Sequence, residues 1–188
     1  MVKKYIRIVA GQYRRTPIEV IEAEGLRPTP DRVRETLFNW LNYFWGGEFS
    51  DKCVLDLFAG TGALGFEAAS RGVAHVQMVE QEPKALAALR ALRDKIGADM
   101  VRIHAGDVKL VLDRLEAARF DLIFLDPPFG QNWLDFLGPK LGDLLEPHGL
   151  VYIEAEKPII MPSEYSLLRQ DRAGAVHYHL FQIAASQK

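Results

Sequence analysis

The chain begins with apolar and polar residues in alternation, which is the pattern of half-buried strands. Two such runs within residues 5–21 flank a turn at residues 11–13 and predict a β-hairpin. Apolar residues then recur at helical spacing. We predict Thr29 as the N-cap of this helix, with Pro30 in its first position and Asp31 near its positive end. The buried face of the helix is predicted to contain Val33, Leu37, Trp40, Leu41 and Phe44.

From Cys53 onward, short apolar runs alternate with segments of helical periodicity. The predicted strands cover residues 53–58, 74–80, 100–105, 120–125 and 149–155, and the predicted helices cover residues 63–71, 83–96, 108–118 and 133–145. Alternation of this kind is typical of parallel strands joined by right-handed crossovers. Residues 165–171 and 175–184 have no helix between them and predict a C-terminal antiparallel hairpin that turns at Gly174. The pattern therefore predicts an α/β fold with one Rossmann-like, seven-stranded, mostly parallel sheet.

The composition is that of an ordinary globular protein. A chain of 188 residues, 48% hydrophobic and 26% charged, is long enough for one domain with a sizeable core. No apolar run approaches the roughly 20 residues that cross a bilayer, and no apolar signal segment follows the charged N-terminus. A single cysteine excludes an internal disulfide and fits a reducing compartment. We expect a cytoplasmic monomer without membrane contact.

Charge is distributed unevenly along the chain. The net charge of −2 argues against a nucleic-acid-binding protein when the chain is taken whole. Residues 1–34, however, contain eight Lys or Arg and four Asp or Glu, a net charge of +4, which leaves −6 for residues 35–188. A basic head on an acidic body predicts phosphate contact, although a solvated hairpin with incidental arginines has the same charge pattern. We therefore divide the chain into a basic N-terminal extension, 1–34, and a sheet domain, 35–188.

A strand, a glycine loop and a helix follow one another between residues 53 and 71. The loop begins at Gly60-Thr61-Gly62, whose glycines allow a tight turn and the close approach of a ligand to a helix N-terminus. Glu80 ends the next strand, 20 residues after Gly60, where a carboxylate can bind a ribose diol. The combination predicts a nucleoside-type ligand, and the alternative is a purely structural glycine turn.

Asp56 distinguishes between the two cofactors that suit this arrangement, NAD and S-adenosylmethionine. It lies four residues before Gly60, where it would repel a pyrophosphate and attract the ammonium group of a methionine moiety. The alternative is that Asp56 only brackets the loop through backbone hydrogen bonds. Asp107, after the third strand of the alternating region, can accept from an adenine amine, cap the next helix, or do both. The predicted cofactor is S-adenosylmethionine, bound by Asp56, Gly60, Gly62, Glu80 and Asp107.

Asp126-Pro127-Pro128-Phe129 follows the apolar run 122–125 and ends it. Two prolines stop strand pairing and leave their carbonyl oxygens free. Asp126 and the Pro127 carbonyl can accept both hydrogens of an exocyclic amine, which points the nitrogen lone pair at a methyl group. Phe129 can stack on the base, which is worth about 1–3 kcal/mol. Methyl transfer then needs alignment and no metal, while a Pro-Pro turn with a packed Phe is the alternative interpretation.

The same residues resemble a known family. The segments Asp56-Leu57-Phe58-Ala59-Gly60-Thr61-Gly62 and Asp126-Pro127-Pro128-Phe129 resemble the class I S-adenosylmethionine-dependent amino-methyltransferases, whose catalytic signature is Asp/Asn-Pro-Pro-aromatic. Within residues 26–41, the block Arg27-Pro28-Thr29-Pro30-Asp31-Arg32-Val33-Arg34-Glu35 is similar to the RsmD-type methyltransferases. The resemblance covers nearly the whole chain. It implies a class I methyltransferase fold and methyl transfer to the exocyclic N2 of a guanine in small-subunit ribosomal RNA, with Asp126, Pro127, Pro128 and Phe129 as the catalytic residues.

The resemblance also implies that the basic N-terminal extension holds ribosomal RNA, alone or in an assembled ribosomal particle. The chain has Ala10-Gly11 and Arg14-Arg15-Thr16 where that family usually has paired glycines followed by Gly-Arg, and the basic character is kept. Arg32 and Arg34 could instead bind the cofactor carboxylate or surface acids. The candidate RNA contacts are Arg7, Arg14, Arg15, Arg32 and Arg34.

Two other functions stay open at this stage. One is methyl transfer to another amine, on DNA adenine or cytosine or on a protein glutamine. The other is an RNA-binding assembly factor without catalytic activity. His177 and His179 alternate on a terminal strand without an evident third ligand, so no metal site is predicted.

Overall fold

The computed structural model describes residues 4–21, 29–115, 119–128 and 132–184. In these ranges the strands are β1 (Lys4–Arg7), β2 (Pro17–Val20), β3 (Cys53–Asp56), β4 (His75–Glu80), β5 (Val101–Ala105), β6 (Phe120–Leu125), β7 (Leu145–Ala155), β8 (Tyr165–Ala173) and β9 (Val176–Ile183). The helices are α1 (Asp31–Phe44), α2 (Ala63–Ser70), α3 (Pro83–Ile96), α4 (Val108–Leu115) and α5 (Trp133–Leu144). None of the helices in this part of the chain is long and apolar enough to cross a bilayer.

Seven strands form one sheet in the spatial order β5-β4-β3-β6-β7-β9-β8. The five strands from β5 to β7 run parallel to one another. The C-terminal hairpin places β9 antiparallel between β7 and β8. The predicted α/β fold, with a Rossmann-like and mostly parallel seven-stranded sheet, is confirmed. The sequence did not indicate that the second strand of the hairpin would pair with β7 and leave β8 at the sheet edge.

Alternate residues of the central strands point to opposite faces of the sheet, as the pleat requires. One face carries residues such as Val54, Phe124 and Tyr152, which pack with α1, α2 and the N-terminal hairpin. The opposite face carries Leu55 and Ile123 and packs with α4 and α5. Both faces are therefore covered, as is typical of a parallel sheet.

Most element boundaries agree with the prediction, and β7 is the main exception. It begins at Leu145, four residues before the predicted start, because Leu145 already pairs with Phe120. The intervening residues 146–149, Glu-Pro-His-Gly, have the composition of a turn but form an irregularity in the ladder. His148 takes a positive φ of 62° within it. The predicted end of α4 at residue 118 falls outside the described residues.

The predicted cap of α1 is wrong. Pro30 is the N-cap residue, and no side chain caps the helix. The Thr29 hydroxyl is instead buried and donates a 2.9 Å hydrogen bond to Oε1 of Glu154, at the end of β7. A carboxylate oxygen is a strong hydrogen-bond acceptor, so the Thr29 hydroxyl binds Glu154 and does not cap the helix. The sequence could not reveal this partner, which lies 125 residues away.

The N-terminal hairpin is part of the main core. Ile8, Tyr13 and Ile18 are buried in the same cluster as residues of α1, α2 and the sheet. The predicted division at residue 34 falls inside α1 and does not coincide with a structural boundary. The apolar residues of the hairpin help to cover one face of the sheet. The division into an RNA-contacting extension and a sheet domain stays a prediction.

Candidate active site

The site lies where the connections of the sheet change direction. The chain passes from β3 to β4 on one side, whereas β6 is the neighbour of β3 on the other side. Ligands of open α/β sheets bind in the crevice that opens at the carboxyl ends of the strands at such a point. Asp56 is the last residue of β3 and Asp126 directly follows β6, so the fold brings both predicted acids to this crevice.

The loop after β3 adopts a backbone that only glycine tolerates well. Gly60 and Gly62 have positive φ angles of 53° and 81°. A Cβ on Gly62 would lie 2.6 Å from side-chain carbons of Leu89 and Phe66. The helix α2 begins directly after this residue, so its first amide groups are available at the crevice. The predicted glycine turn at a helix N-terminus is therefore present.

Glu80 fixes this loop against the end of β4. Its Oε2 accepts a 2.8 Å hydrogen bond from the Gly60 amide, and its Oε1 accepts from the amides of Gln81 and Glu82, both at 2.8 Å. Carboxylate oxygens have further lone pairs, so Glu80 retains the capacity to accept from a diol. Binding of the ribose by Glu80 stays a prediction.

Asp56 is a buried carboxylic acid, only 2% exposed. Its Oδ1 has no hydrogen-bond partner among the described residues. Burial raises the pKa of Asp56 from its ordinary 3.8 to about 7, against the lowering effect of the Phe58 and Gly65 backbone amides. A buried oxygen without a partner beside a glycine loop is suited to a cationic group such as an ammonium.

Asp126, which directly follows β6, lies beside Glu154 of the adjacent strand β7. Leu125 of β6 pairs with Ile153 of β7, and the two acids are the residues that directly follow this pair. Burial raises the pKa of Asp126 well above its ordinary range, and the negative charges of Glu154 and Asp56 raise it further. Burial also raises the pKa of Glu154, opposed by the hydrogen bonds that it accepts from Thr29 and Tyr152.

The remaining residues of the predicted catalytic segment are described only in part. Pro127 is partly buried and Pro128 is exposed, while Phe129 lies outside the described residues. Trp133 begins α5 close by in sequence and packs edge-on against Phe58, with ring centroids 5.0 Å apart. The roles assigned to Pro127, Pro128 and Phe129 stay predictions.

Asp107 acts at the beginning of α4. Its Oδ1 accepts a 2.8 Å hydrogen bond from the Lys109 amide, and its carbonyl accepts from Leu110 and Val111. This is the geometry of a helix cap, one of the two roles that the sequence allowed. Contact with an adenine amine stays a prediction.

The candidate RNA-binding arginines fall into two groups. Arg7, Arg14, Arg15 and Arg32 are exposed, and Arg7 forms a 3.1 Å salt bridge with Asp31. Arg34, in contrast, is completely buried. Its guanidinium donates to the Arg7 carbonyl at 2.8 Å and to Asp31 at 2.6 Å. Arg34 is therefore unavailable to RNA, which corrects the prediction for this residue.

The carboxylate that forms a buried ion pair with Arg34, that of Glu67, was not predicted from the sequence. Glu67 of α2 is completely buried, 3.5 Å from the Arg34 guanidinium. It also accepts from the backbone amides of Val9 at 2.7 Å and Ala10 at 3.0 Å, which attaches the hairpin to α2. The sequence did contain a signal for this contact, because Glu67 is the single charged residue of the mostly apolar helix Ala63–Ser70. A charge that is buried in such a helix needs a partner of opposite charge.

A second missed residue is Glu154, the buried acid beside Asp126. The sequence offered a weak signal, because an acid near the end of an apolar strand is most simply explained as solvent-exposed. In the part of the chain that the structure describes, no group of three or more His, Cys, Asp or Glu side chains is arranged to hold a metal ion.

The chain is similar to known proteins over nearly its whole length. The model of the family described as "Conserved hypothetical protein 95" matches residues 6–182. The chain is 37% identical to "Ribosomal RNA small subunit methyltransferase D" of Haemophilus influenzae, over 96% of this chain and 95% of the relative. It is 36% identical to the protein of the same name in Escherichia coli, over 94% and 89% of the two chains. A solved structure from Escherichia coli, described as a proposed methyltransferase, has a TM-score of 0.84 and 36% identity, and the match covers 97% of this chain and 100% of that one.

Proposed function

Because the chain belongs to the family described as Conserved hypothetical protein 95, we propose that it methylates the exocyclic N2 amine of a guanine in small-subunit ribosomal RNA, with S-adenosylmethionine as the methyl donor. One observation carries the proposal: at least 94% of the chain is similar, at 36–37% identity, to relatives named as small-subunit ribosomal RNA methyltransferases. This similarity also confirms the family resemblance that the residues indicated. The methylated position, N2 of guanine, goes beyond the names of the relatives.

The residues of the crevice fit this cofactor. S-adenosylmethionine supplies an electrophilic methyl group on a positively charged sulfur, and it also carries an ammonium group. The unpartnered Oδ1 of Asp56 fits the ammonium, and Glu80 is available to the ribose hydroxyls. Both residues are fixed by the backbone around the glycine loop, so the binding geometry is set before the cofactor arrives.

Asp126 supports the chemical step. An aromatic amine is a poor nucleophile, because its lone pair is delocalised into the ring. Asp126 and the Pro127 carbonyl accept the two amine hydrogens, which draws the nitrogen towards tetrahedral geometry and directs its lone pair at the methyl carbon. Phe129 stacks on the flipped base in this proposal. The acceptors come from a segment that cannot continue the strand, so their lone pairs are not used by sheet pairing.

The proposal is tested by methyl transfer to small-subunit ribosomal RNA from cells that lack the protein. Incubation with labelled S-adenosylmethionine, followed by nuclease digestion and mass spectrometry, should yield N2-methylguanosine. Asp126→Ala should lower the single-turnover rate by 100-fold or more, roughly the size expected for loss of a positioned acceptor, while cofactor affinity is retained. Asp99→Asn, an exposed acid before β5, is the matched control and should retain full activity.

The same assay separates the alternatives. Label in DNA or protein but not in ribosomal RNA would overturn the proposed substrate, and full activity of Asp126→Ala would overturn the proposed site. Free RNA and assembled small subunits are tested in parallel to determine which one is modified. We also propose that the protein acts in the cytoplasm, where its proposed substrate is located. We further propose that it is a monomer, which sedimentation of the purified protein tests.

A further inference from the structure

Glu154 is a buried carboxylate that the proposed reaction does not yet use. It is only 5% exposed. Its Oε1 accepts two buried hydrogen bonds, one of 2.9 Å from the Thr29 hydroxyl and one of 3.0 Å from the Tyr152 hydroxyl. Through Thr29, this side chain attaches the start of α1 to the end of β7.

The sheet register places Glu154 among the acids of the crevice. Asp56 pairs with Phe124, and Phe124 pairs with Tyr152. Because strand side chains alternate between faces, Asp126 and Glu154, each two residues further on, share one face with Asp56. Three carboxyl groups therefore meet on the α1–α2 face of the sheet at its switch point.

The described residues supply no counter-cation for these three groups. The salt bridges found in this part of the chain involve other acids, and the partners of Glu154 are neutral hydroxyls. Adjacent carboxylates with little access to solvent repel each other when no cation lies nearby. Such a group therefore retains protons until a positive charge binds beside it. The raised pKa values of Asp126 and Glu154 agree with this expectation.

We propose that Glu154 is a positioning residue: with Asp126 it forms a carboxyl pair that retains a proton in the free protein and releases it when a sulfonium ion binds beside it. Release leaves Asp126 ionised and able to accept the amine hydrogens. The inference rests on the proposed function, since the sulfonium belongs to S-adenosylmethionine. The groups that face the pair are Asp56 on β3, Tyr152 on β7 and Thr29 before α1, with Tyr178 of β9 beside Tyr152.

The test is titration calorimetry of the whole protein in buffers of different ionisation enthalpy, which counts the protons released on binding. Two ligands are compared at pH 7, S-adenosylmethionine and S-adenosylhomocysteine. Both carry the ammonium group that would meet Asp56, but only the former carries the sulfonium charge. We expect S-adenosylmethionine to release about half to one proton more than S-adenosylhomocysteine, because a cation favours the ionised form of nearby carboxyls.

Three variants test whether the additional proton release on binding S-adenosylmethionine depends on Glu154. In Glu154→Gln the excess should fall clearly below the wild-type value, because residue 154 can no longer share a proton with Asp126, which keeps only Asp56 as a negative neighbour. Glu156→Gln removes an exposed acid two residues further on and should keep the wild-type excess. Thr29→Val removes one hydrogen bond to Glu154 and should move the pH of greatest proton release upward by about half a unit. This second variant keeps the test decisive if Glu154→Gln does not fold.

The outcomes separate the inference from the proposed function. Equal proton release for the two ligands in the wild-type protein would overturn the carboxyl pair while leaving the cofactor assignment intact. An unchanged excess in Glu154→Gln would also overturn it, as would an unchanged pH of release in Thr29→Val. A wild-type protein that binds neither ligand would overturn the proposed function, and the inference with it.

Discussion

Replacing Asp56 by Asn should make the free protein more stable at pH 8 and weaken its binding of S-adenosylmethionine. The substitution keeps the size of the side chain and its acceptor oxygen but removes the ionisable group. In the free protein the Asp56 carboxyl is buried and its pKa is raised to about 7 from the ordinary 3.8. The folded protein therefore binds this proton more tightly than the unfolded chain does.

The sign and size of the effect follow from proton linkage. Between about pH 4 and pH 7 the unfolded chain loses the Asp56 proton first, so the stability of the wild-type protein falls as the pH rises through this window. A raised pKa of about three units corresponds to about 4 kcal/mol, which is the full loss above pH 7. In Asp56→Asn this contribution is absent. The stability of the variant relative to the wild type should therefore increase by about 3 kcal/mol between pH 4.5 and pH 8.

Urea unfolding of the ligand-free proteins at a series of pH values measures the stability difference. Calorimetry then measures cofactor binding at pH 8, where loss of a charge-assisted hydrogen bond of about 1.5–3 kcal/mol should weaken affinity roughly 10- to 150-fold. Asp99→Asn is the control for both measurements, because Asp99 is exposed. A stability difference that does not change with pH would refute the raised pKa. Unchanged affinity would refute the assignment of Asp56 to the ammonium group.

Three further predictions concern other parts of the molecule. Glu67→Gln should destabilise the protein by about 1–3 kcal/mol, because the buried Arg34 loses one of its two carboxylate partners and keeps only Asp31. Thermal unfolding measures this loss of stability, with the exposed Glu35→Gln as control. Gly62→Ala should lower both thermal stability and cofactor affinity, since a Cβ there would lie 2.6 Å from Leu89 and Phe66 at a positive φ. Replacing Arg14 and Arg15 together by Ala should make the plot of log affinity for RNA against log salt concentration less steep, by the amount expected for about two lost phosphate contacts, with cofactor affinity unchanged. An unchanged slope would show that these residues do not contact RNA.

Local pattern was sufficient for most of the architecture. The apolar periods of strands and helices are set by the pleat and by the helical turn, so β6 and α3 could be placed from the chain alone. The pattern failed where a long-range contact overrode a local preference. Residues 146–149 look like a turn, but pairing of Leu145 with Phe120 draws them into β7.

The site shows the same division between local and long-range information. The glycine loop, Asp56, Glu80 and Asp126 could be proposed from spacing, because parallel strands bring their carboxyl ends to one edge of the sheet. Thr29 and Arg34 were misassigned, because the buried acids that bind them, Glu154 and Glu67, lie far away in the sequence.

The order of strands and helices, the glycine turn and the acid before two prolines could all be read from neighbouring residues along the chain. These features depend on neighbouring residues along the chain, and their physical causes are local backbone geometry and side-chain periodicity. Which charges are buried, and which partners they have, became clear only from the folded protein. Charge burial depends on which distant segments pack together, so Arg34 becomes part of the hairpin attachment and Glu154 joins Asp126 and Asp56 in the crevice.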